Sequence, residues 1–153
     1  MLLAKLDVPI TGRNNVEAPT TFQFVIPAAF LQVKDRLELR VSPNKSGTTD
    51  SCILRWRLGS AGTTGDAGLV SATIMTATGR HAGIIYEARI EDATHAQLLA
   101  RADLGYGGSN TSARAGQITH GNISGVLYSS VDVLSSNTND TMDLVDAELW
   151  LVR

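Results

Sequence analysis

The sequence has little that could cross-link the chain or anchor it in a membrane. Cys52 is the one cysteine among 153 residues, so no disulfide can form within the chain. A cysteine-poor composition is typical of proteins made in a reducing cytosol. No apolar run approaches the roughly 20 residues of a membrane-spanning helix. The start, from Met1 to Asp7, has too short an apolar stretch for a signal peptide. We therefore expect no membrane partner.

Charge is also sparse. Asp, Glu, Lys and Arg make up 18% of the chain, its net charge is -2, and no long basic or acidic run occurs. A protein that binds nucleic acid usually carries a basic patch, so none is expected as a partner. The 43% of hydrophobic residues predict a globular chain. A chain of this length forms one domain that buries roughly 68–70% of its unfolded surface.

Alternation of apolar and polar residues is the strongest pattern in the chain. Leu37, Leu39 and Val41 alternate with charged residues in segment 35–41, and segments 52–58 and 84–90 repeat the pattern. A period of two predicts strands with one buried face. Weaker strands are expected at 21–26, 69–76, 113–119, 123–134 and 142–153, and a further candidate strand begins at Leu2. In the last of these segments, Val145, Ala147, Leu149 and Leu151 share one face.

Turn-forming residues separate these segments at 42–47, 59–68, 105–110 and 135–140. Residues 93–101 have fair helical propensity but poor caps, so helix, loop and irregular strand all stay open. Eight or nine short strands with regular turns predict an all-β fold. We expect a two-sheet antiparallel β-sandwich, a jelly roll of about eight strands. Residues 1–20 would form an N-terminal strand or extended arm, and 21–153 the domain.

Candidate catalytic and metal-binding residues are scattered. They comprise His81, His95 and His120, and the aspartates Asp140, Asp143 and Asp146. The histidines show no ligand spacing, and a strand would place Asp143 and Asp146 on opposite faces. The glycine-rich loop 59–68 lacks the Gly-Lys-Ser/Thr ending of a phosphate-binding loop. We therefore expect no catalytic residue, no metal and no cofactor, and hence no enzyme.

Four segments in order carry a family resemblance: 22–28 (FQFVIPA), 35–40 (DRLELR), 53–59 (ILRWRLG) and 62–66 (GTTGD). With 136–140 (SNTND) and a last strand containing Trp150, the chain from about 22 to 153 resembles jelly-roll domains of tailed-bacteriophage structural proteins. The resemblance implies a capsid cement (decoration) protein that stabilises the phage head. It further implies a homotrimer on the virion's outer capsid surface, made in the host cytoplasm and bound to the major capsid protein.

Two alternatives stay open. The same domains occur in tail-fibre or baseplate components that recognise host-surface glycans, and a cupin-like or carbohydrate-active enzyme is a third hypothesis. If the chain is a capsid component or a tail component, the arm and one aromatic residue would contact the partner. The candidate partner-binding residues are Leu2, Leu3, Leu6, Arg13, Asn14, Asn15 and Trp150. Trp150 alternates with acidic residues, so it is either an exposed platform or part of a strand that is covered on both faces.

Overall fold

The computed structural model describes residues 1–13, 16, 22–75, 78–80, 83–103 and 117–153, with only the backbone at 72, 75, 80 and 100–103. The regular elements of this part are all strands: β1 Leu2–Lys5, β2 Ile10–Arg13, β3 Phe22–Ile26, β4 Arg36–Ser46, β5 Cys52–Gly59, β6 Ala67–Met75, β7 Gly79–Arg80, β8 Ile84–Ile90, β9 His95–Asp103, β10 Gln117–Thr119, β11 Leu127–Ser135 and β12 Thr141–Val152.

The strands form two antiparallel sheets that pack face to face. The larger sheet has the order β1-β12-β4-β8-β9-β10, with β2 also beside β12 and β7 beside β4, and the smaller has β3-β11-β5-β6. The chain crosses between the sheets from β3 to β4, from β4 to β5 and from β11 to β12, which is how jelly rolls are built. Eight of the described strands have five or more residues. The predicted all-β sandwich of about eight strands is therefore confirmed.

Inward-facing side chains of both sheets form one core. Alternate residues of β4 and β5 are buried, as their period of two predicts, and Trp56 is fully buried. The indole nitrogen of Trp56 donates to the Ser129 hydroxyl at 3.0 Å, so this polar atom keeps a partner inside the core. The cluster includes Leu37, Leu39, Val41, Cys52, Leu54, Leu58, Ile84, Tyr86, Ile90, Val131, Val133, Leu149 and Leu151.

A β-bulge changes which residues of β12 face the core. The register with β4 shifts between Leu144 and Asp146, so Val145 is the extra residue. Met142 and Leu144 are buried, whereas Val145 is only half-buried. The prediction that Val145 shares the inward face of Ala147 is therefore wrong, because one inserted residue reverses the alternation on one side of it.

The same bulge corrects the expected placement of two aspartates. Asp143 lies opposite Asn44 and Asp146 opposite Ser42, and Asn44 and Ser42 both face outward from β4. Asp143 and Asp146 therefore lie on the same face of the sheet. Asp143 accepts hydrogen bonds from the Gly12 N–H at 2.9 Å and from the Asn44 amide at 3.0 Å.

One segment that the sequence left open is a strand, and one segment differs from expectation. Residues 95–103 form β9 between β8 and β10, so the strand alternative is the one observed, because backbone pairing on both sides outweighs a weak helical propensity. The expected loop at 42–47 is mostly strand, since β4 continues to Ser46. On one side of β4, strand β8 pairs as far as Val41 and strand β7 pairs from Asn44 onward. Pro43 lies in the gap between these two partners, so its missing N–H costs no ladder hydrogen bond on that side.

The N-terminal segment lies along β12. Strands β1 and β2 pair with opposite ends of the same edge of β12. The predicted boundary near residue 20 falls outside the described residues, and the division into arm and domain stays a prediction. None of the described residues forms a helix long and apolar enough to cross a membrane.

Candidate functional site

The outer edge of the larger sheet is formed by β1 and β2, which follow one another along β12. On the β12 side, the Leu6 N–H donates to the Ala147 carbonyl at 2.8 Å, and the Leu151 N–H donates to the Met1 carbonyl at 2.8 Å. On the other side, no described strand lies beside β1 or β2. An edge of this kind presents backbone N–H and C=O groups that can pair with another strand.

Side chains of this segment divide into an inner and an outer set. Leu3, Ala4, Leu6 and Ile10 pack against the core and hold the segment in place. The outer set comprises Met1, Leu2, Val8 and Val16, which are 61%, 42%, 71% and 62% exposed. We call these four residues the N-terminal apolar edge. Of the predicted partner-binding leucines, the structure therefore turns Leu2 outward and uses Leu3 and Leu6 as anchors.

Leu2 and Trp150 lie directly opposite one another on β1 and β12. The guanidinium of Arg40 lies over the Trp150 ring, 5.1 Å from its centroid. The indole nitrogen of Trp150 donates to Glu148 at 3.0 Å. Trp150 is therefore half-buried, and its neighbours fix its orientation. It is neither a fully exposed platform nor part of a strand that is covered on both faces. Leu2 extends the apolar surface of Trp150 to the sheet edge.

Glu148 links this corner to the arm. Its carboxylate lies 3.1 Å from the Lys5 ammonium, on the strand next to it. The hydrogen bond from Trp150 and the Lys5 ammonium hold the pKa of Glu148 below its ordinary value. Glu148 is thus an anion at neutral pH, and it fixes both the indole and the arm.

Arg13 anchors the end of the arm to the other sheet. Its guanidinium donates to both carboxylate oxygens of Asp132 on β11, at 2.8 and 3.2 Å, and to the Val16 carbonyl at 2.6 Å. Asp132 is buried, so this bidentate pair is well shielded from water. Asn14 and Asn15 lie outside the described residues. The partner-binding role of all seven predicted residues stays a prediction.

Two of the three histidines lie close together, and His81 lies outside the described residues. His95 and Thr119 are opposite each other on β9 and β10, and His120 follows directly. The His95 ring lies 2.9 Å from Asp92. The Thr94 N–H and then the His95 ring lower the pKa of Asp92 to about 2. Within the described ranges, no three His, Cys, Asp or Glu side chains are grouped to hold a metal ion.

The glycine-rich loop between β5 and β6 encloses a carboxylate of its own chain. Asp66 accepts hydrogen bonds from the N–H groups of Ala61, Gly62 and Thr63, at 3.0, 2.6 and 3.3 Å. At Gly59 a Cβ would lie 2.1 Å from an Asp66 oxygen, so the loop needs glycine there. Backbone donors of the kind that bind a phosphate are thus already occupied.

Sequence reasoning missed part of the N-terminal apolar edge. Met1, Val8 and Val16 follow no alternating pattern, and a segment with Pro9 gives no regular strand signal. The available signal was their apolar character in a segment that was expected to be an extended arm.

Comparison with known proteins gives little. No family model and no curated protein matches the chain. Among solved structures, the chain is similar to a glycosyl hydrolase family protein from Mycobacterium fortuitum, with a TM-score of 0.42 and 14% identity over 93% of this chain and 74% of that one. At that TM-score the likeness carries no inference about activity.

These comparisons correct the expected function. They return a glycosyl hydrolase family protein and no phage structural protein, which contradicts both the capsid cement role and its tail-fibre alternative. The phage resemblance, the major capsid protein as partner, the virion location, the homotrimer and the absence of catalysis are untested.

Proposed function

We propose that this chain is a non-catalytic assembly subunit that associates with copies of itself through the N-terminal apolar edge. The observation that carries the proposal is the combination of an open strand edge with exposed apolar side chains. Natural sheet edges are usually protected by charges, proline or a covering loop. The outermost segment of this eight-stranded sheet carries Lys5, Asp7 and Pro9, yet Leu2 and Val8 beside them stay exposed.

A second apolar surface on the same chain supplies a counterpart. Val25 on β3, the edge strand of the smaller sheet, is 50% exposed, and Val126 just before β11 is 43% exposed. The two lie next to each other, because Val25 pairs with Tyr128 and Ile26 with Leu127. We call Val25 and Val126 the β3 patch. Two different complementary surfaces on one chain produce a head-to-tail contact, which forms a ring where the rotation between subunits closes and an open filament where it does not. We propose the closed form.

The homotrimer predicted from the family resemblance is one such ring. A contact between two identical N-terminal edges would instead give a two-fold dimer, in which the β3 patch has no role. A charge at Val25 should therefore disrupt the ring but leave the two-fold dimer intact.

Sedimentation velocity of three single variants tests the proposal. We expect the unmodified chain to be a closed oligomer, and Val8→Lys and Val25→Lys each to be monomers. The matched control is Val33→Lys, because Val33 is 47% exposed but belongs to neither surface. It should remain oligomeric.

Mixing the two disrupted variants sharpens the result. Val8→Lys retains an intact β3 patch and Val25→Lys an intact N-terminal apolar edge, so an equimolar mixture should form a heterodimer with one contact. A monomeric unmodified chain would contradict self-association. An oligomer that Val8→Lys leaves intact would contradict the N-terminal edge as its site.

A further inference from the structure

A shallow groove with several cationic side chains lies on the outer face of the larger sheet. Its volume is about 440 Å³, and it is lined by Lys34, Arg36, Arg89, Ile90, Glu91 and Leu99. That volume is in the range of small-molecule sites. The lining carries three cations and one anion. It is separate from the N-terminal apolar edge, since β12 and β4 lie between β1 and β8.

Lys34 occupies a backbone conformation that costs free energy. Its φ is +78°, in the left-handed region that favours glycine. Its N–H donates to the Ile90 carbonyl at 2.8 Å, and the Ile90 N–H donates to the Asp35 carbonyl at 2.9 Å, so the conformation is held from both sides. Strained non-glycine residues of this kind are concentrated at functional sites. Glycine would relieve the strain, but it would remove the ammonium from the groove.

Arg36 and Arg89 form a second unfavourable arrangement. They lie directly opposite each other on β4 and β8, and like charges in that position destabilise a sheet. Glu87 accepts from one nitrogen of Arg36 at 3.0 Å, and Glu91 accepts from Arg89 at 2.9 and 3.0 Å. In each of these ion pairs, some guanidinium N–H groups do not bond to the carboxylate. No carboxylate in the described part of the chain pairs with Lys34.

We infer that this groove binds a small ligand through a phosphate-type oxyanion. Two opposed guanidinium groups and one ammonium supply the positive charge and the N–H donors that such an anion binds. Lys34 would contact the anion directly, which accounts for a lysine where glycine is less strained. The anion would also accept from the guanidinium N–H groups of Arg36 and Arg89 that Glu87 and Glu91 leave unbonded. This inference is independent of self-association.

The test uses inorganic pyrophosphate, followed by amide chemical shifts of residues 34–36 and 89–91 in the unmodified chain. We expect a saturable change that weakens at high salt, because the contacts are charged and exposed. Lys34→Gly should bind roughly tenfold more weakly, which is the effect of losing one charge-assisted hydrogen bond. The same variant should melt at an equal or higher temperature.

Two controls separate a site from general attraction. Lys34→Arg keeps the cation and should bind within a few-fold of the unmodified chain. Lys5→Ala removes one exposed cation elsewhere on the same sheet and should leave binding unchanged. The inference is overturned if the unmodified chain shows no saturable change, if Lys34→Gly binds equally well, or if Lys5→Ala weakens binding as much.

Discussion

Asp50 accepts the backbone N–H of Asp140 at 3.0 Å, and Asp140 accepts that of Asp50 at 2.8 Å. Asp50 follows the β4–β5 turn and Asp140 precedes β12, so the two carboxylates join two connections at one end of the sandwich. Asp140 also accepts from the Thr49 N–H at 2.9 Å and from the Lys45 ammonium at 2.8 Å. Both carboxylates are buried, and these donors replace their lost hydration.

This relationship predicts a loss of stability in acid. Burial raises the pKa of Asp50, but hydrogen bonds from Asp140, Ser135 and Asn139 outweigh it, and the pKa lies below the ordinary 3.8. The Lys45 ammonium and then the Asp50 N–H lower the pKa of Asp140.

A depressed carboxyl pKa gives stability that is full above the unfolded value and is lost as pH falls through the folded value. We therefore expect the melting temperature to fall below about pH 4, as measured by circular dichroism. Asp140→Asn should melt lower at pH 7 and show a smaller drop in acid. An equally steep drop in that variant would contradict the assignment.

Replacement of Lys45 should be strongly destabilising. Its side chain is fully buried, and its ammonium contacts Asp140 at 2.8 Å and the Gly47 carbonyl at 2.6 Å. Lys45→Met leaves a buried carboxylate without its cation, which costs about 3–5 kcal/mol of unfolding free energy. Urea denaturation measures this cost.

The matched control is Lys5→Met, which breaks the exposed pair with Glu148 and should lower the unfolding free energy far less, because water and salt screen an exposed pair. Similar losses in the two variants would show that burial of the Lys45 pair is unimportant.

His120 predicts a second pH effect, at milder acidity. Its ring is buried, and within the described part of the chain neither ring nitrogen has a hydrogen-bond partner. Burial lowers the pKa of His120 and outweighs the nearby backbone of His95 and Gly121, which raises it. The unfolded state then binds the proton more readily, so stability falls as pH drops below about 6.5.

We expect His120→Gln to flatten the pH dependence of stability between pH 7 and 5, whereas His95→Gln should retain it. Parallel curves for the unmodified chain and His120→Gln would rule out His120 as the titrating group.

Cys52 should be unreactive in the folded protein. Burial raises the pKa of its thiol to about 12, although the Lys45 charge opposes this effect. Only the thiolate reacts with disulfide reagents, and the thiol is also shielded by the core. A colorimetric thiol reagent at pH 8 should therefore modify Cys52 only after denaturation. Rapid modification of the native chain would contradict the packing around β5.

Local patterns determine much of this fold but not all of it. Strands β4, β5 and β8 were predictable because each has one apolar face. The Val145 bulge was not, since an inserted residue leaves both halves of the alternation intact. Strand β9 was not either, because its backbone pairing with β8 and β10 decides its structure and its local propensity does not show that pairing. The groove depends on Arg36 and Arg89 being opposite each other, which follows from register alone.

Amide hydrogen exchange at two protein concentrations tests the central claim, association through the N-terminal apolar edge, most directly. The account predicts that amides of residues 2–13 that are not bonded to β12 exchange more slowly at high concentration, together with those around Val25. Central amides of β4 should not change, and Val8→Lys should abolish the difference. Exchange of residues 2–13 that is independent of concentration, in a sample whose mass shows an oligomer, would contradict the claim.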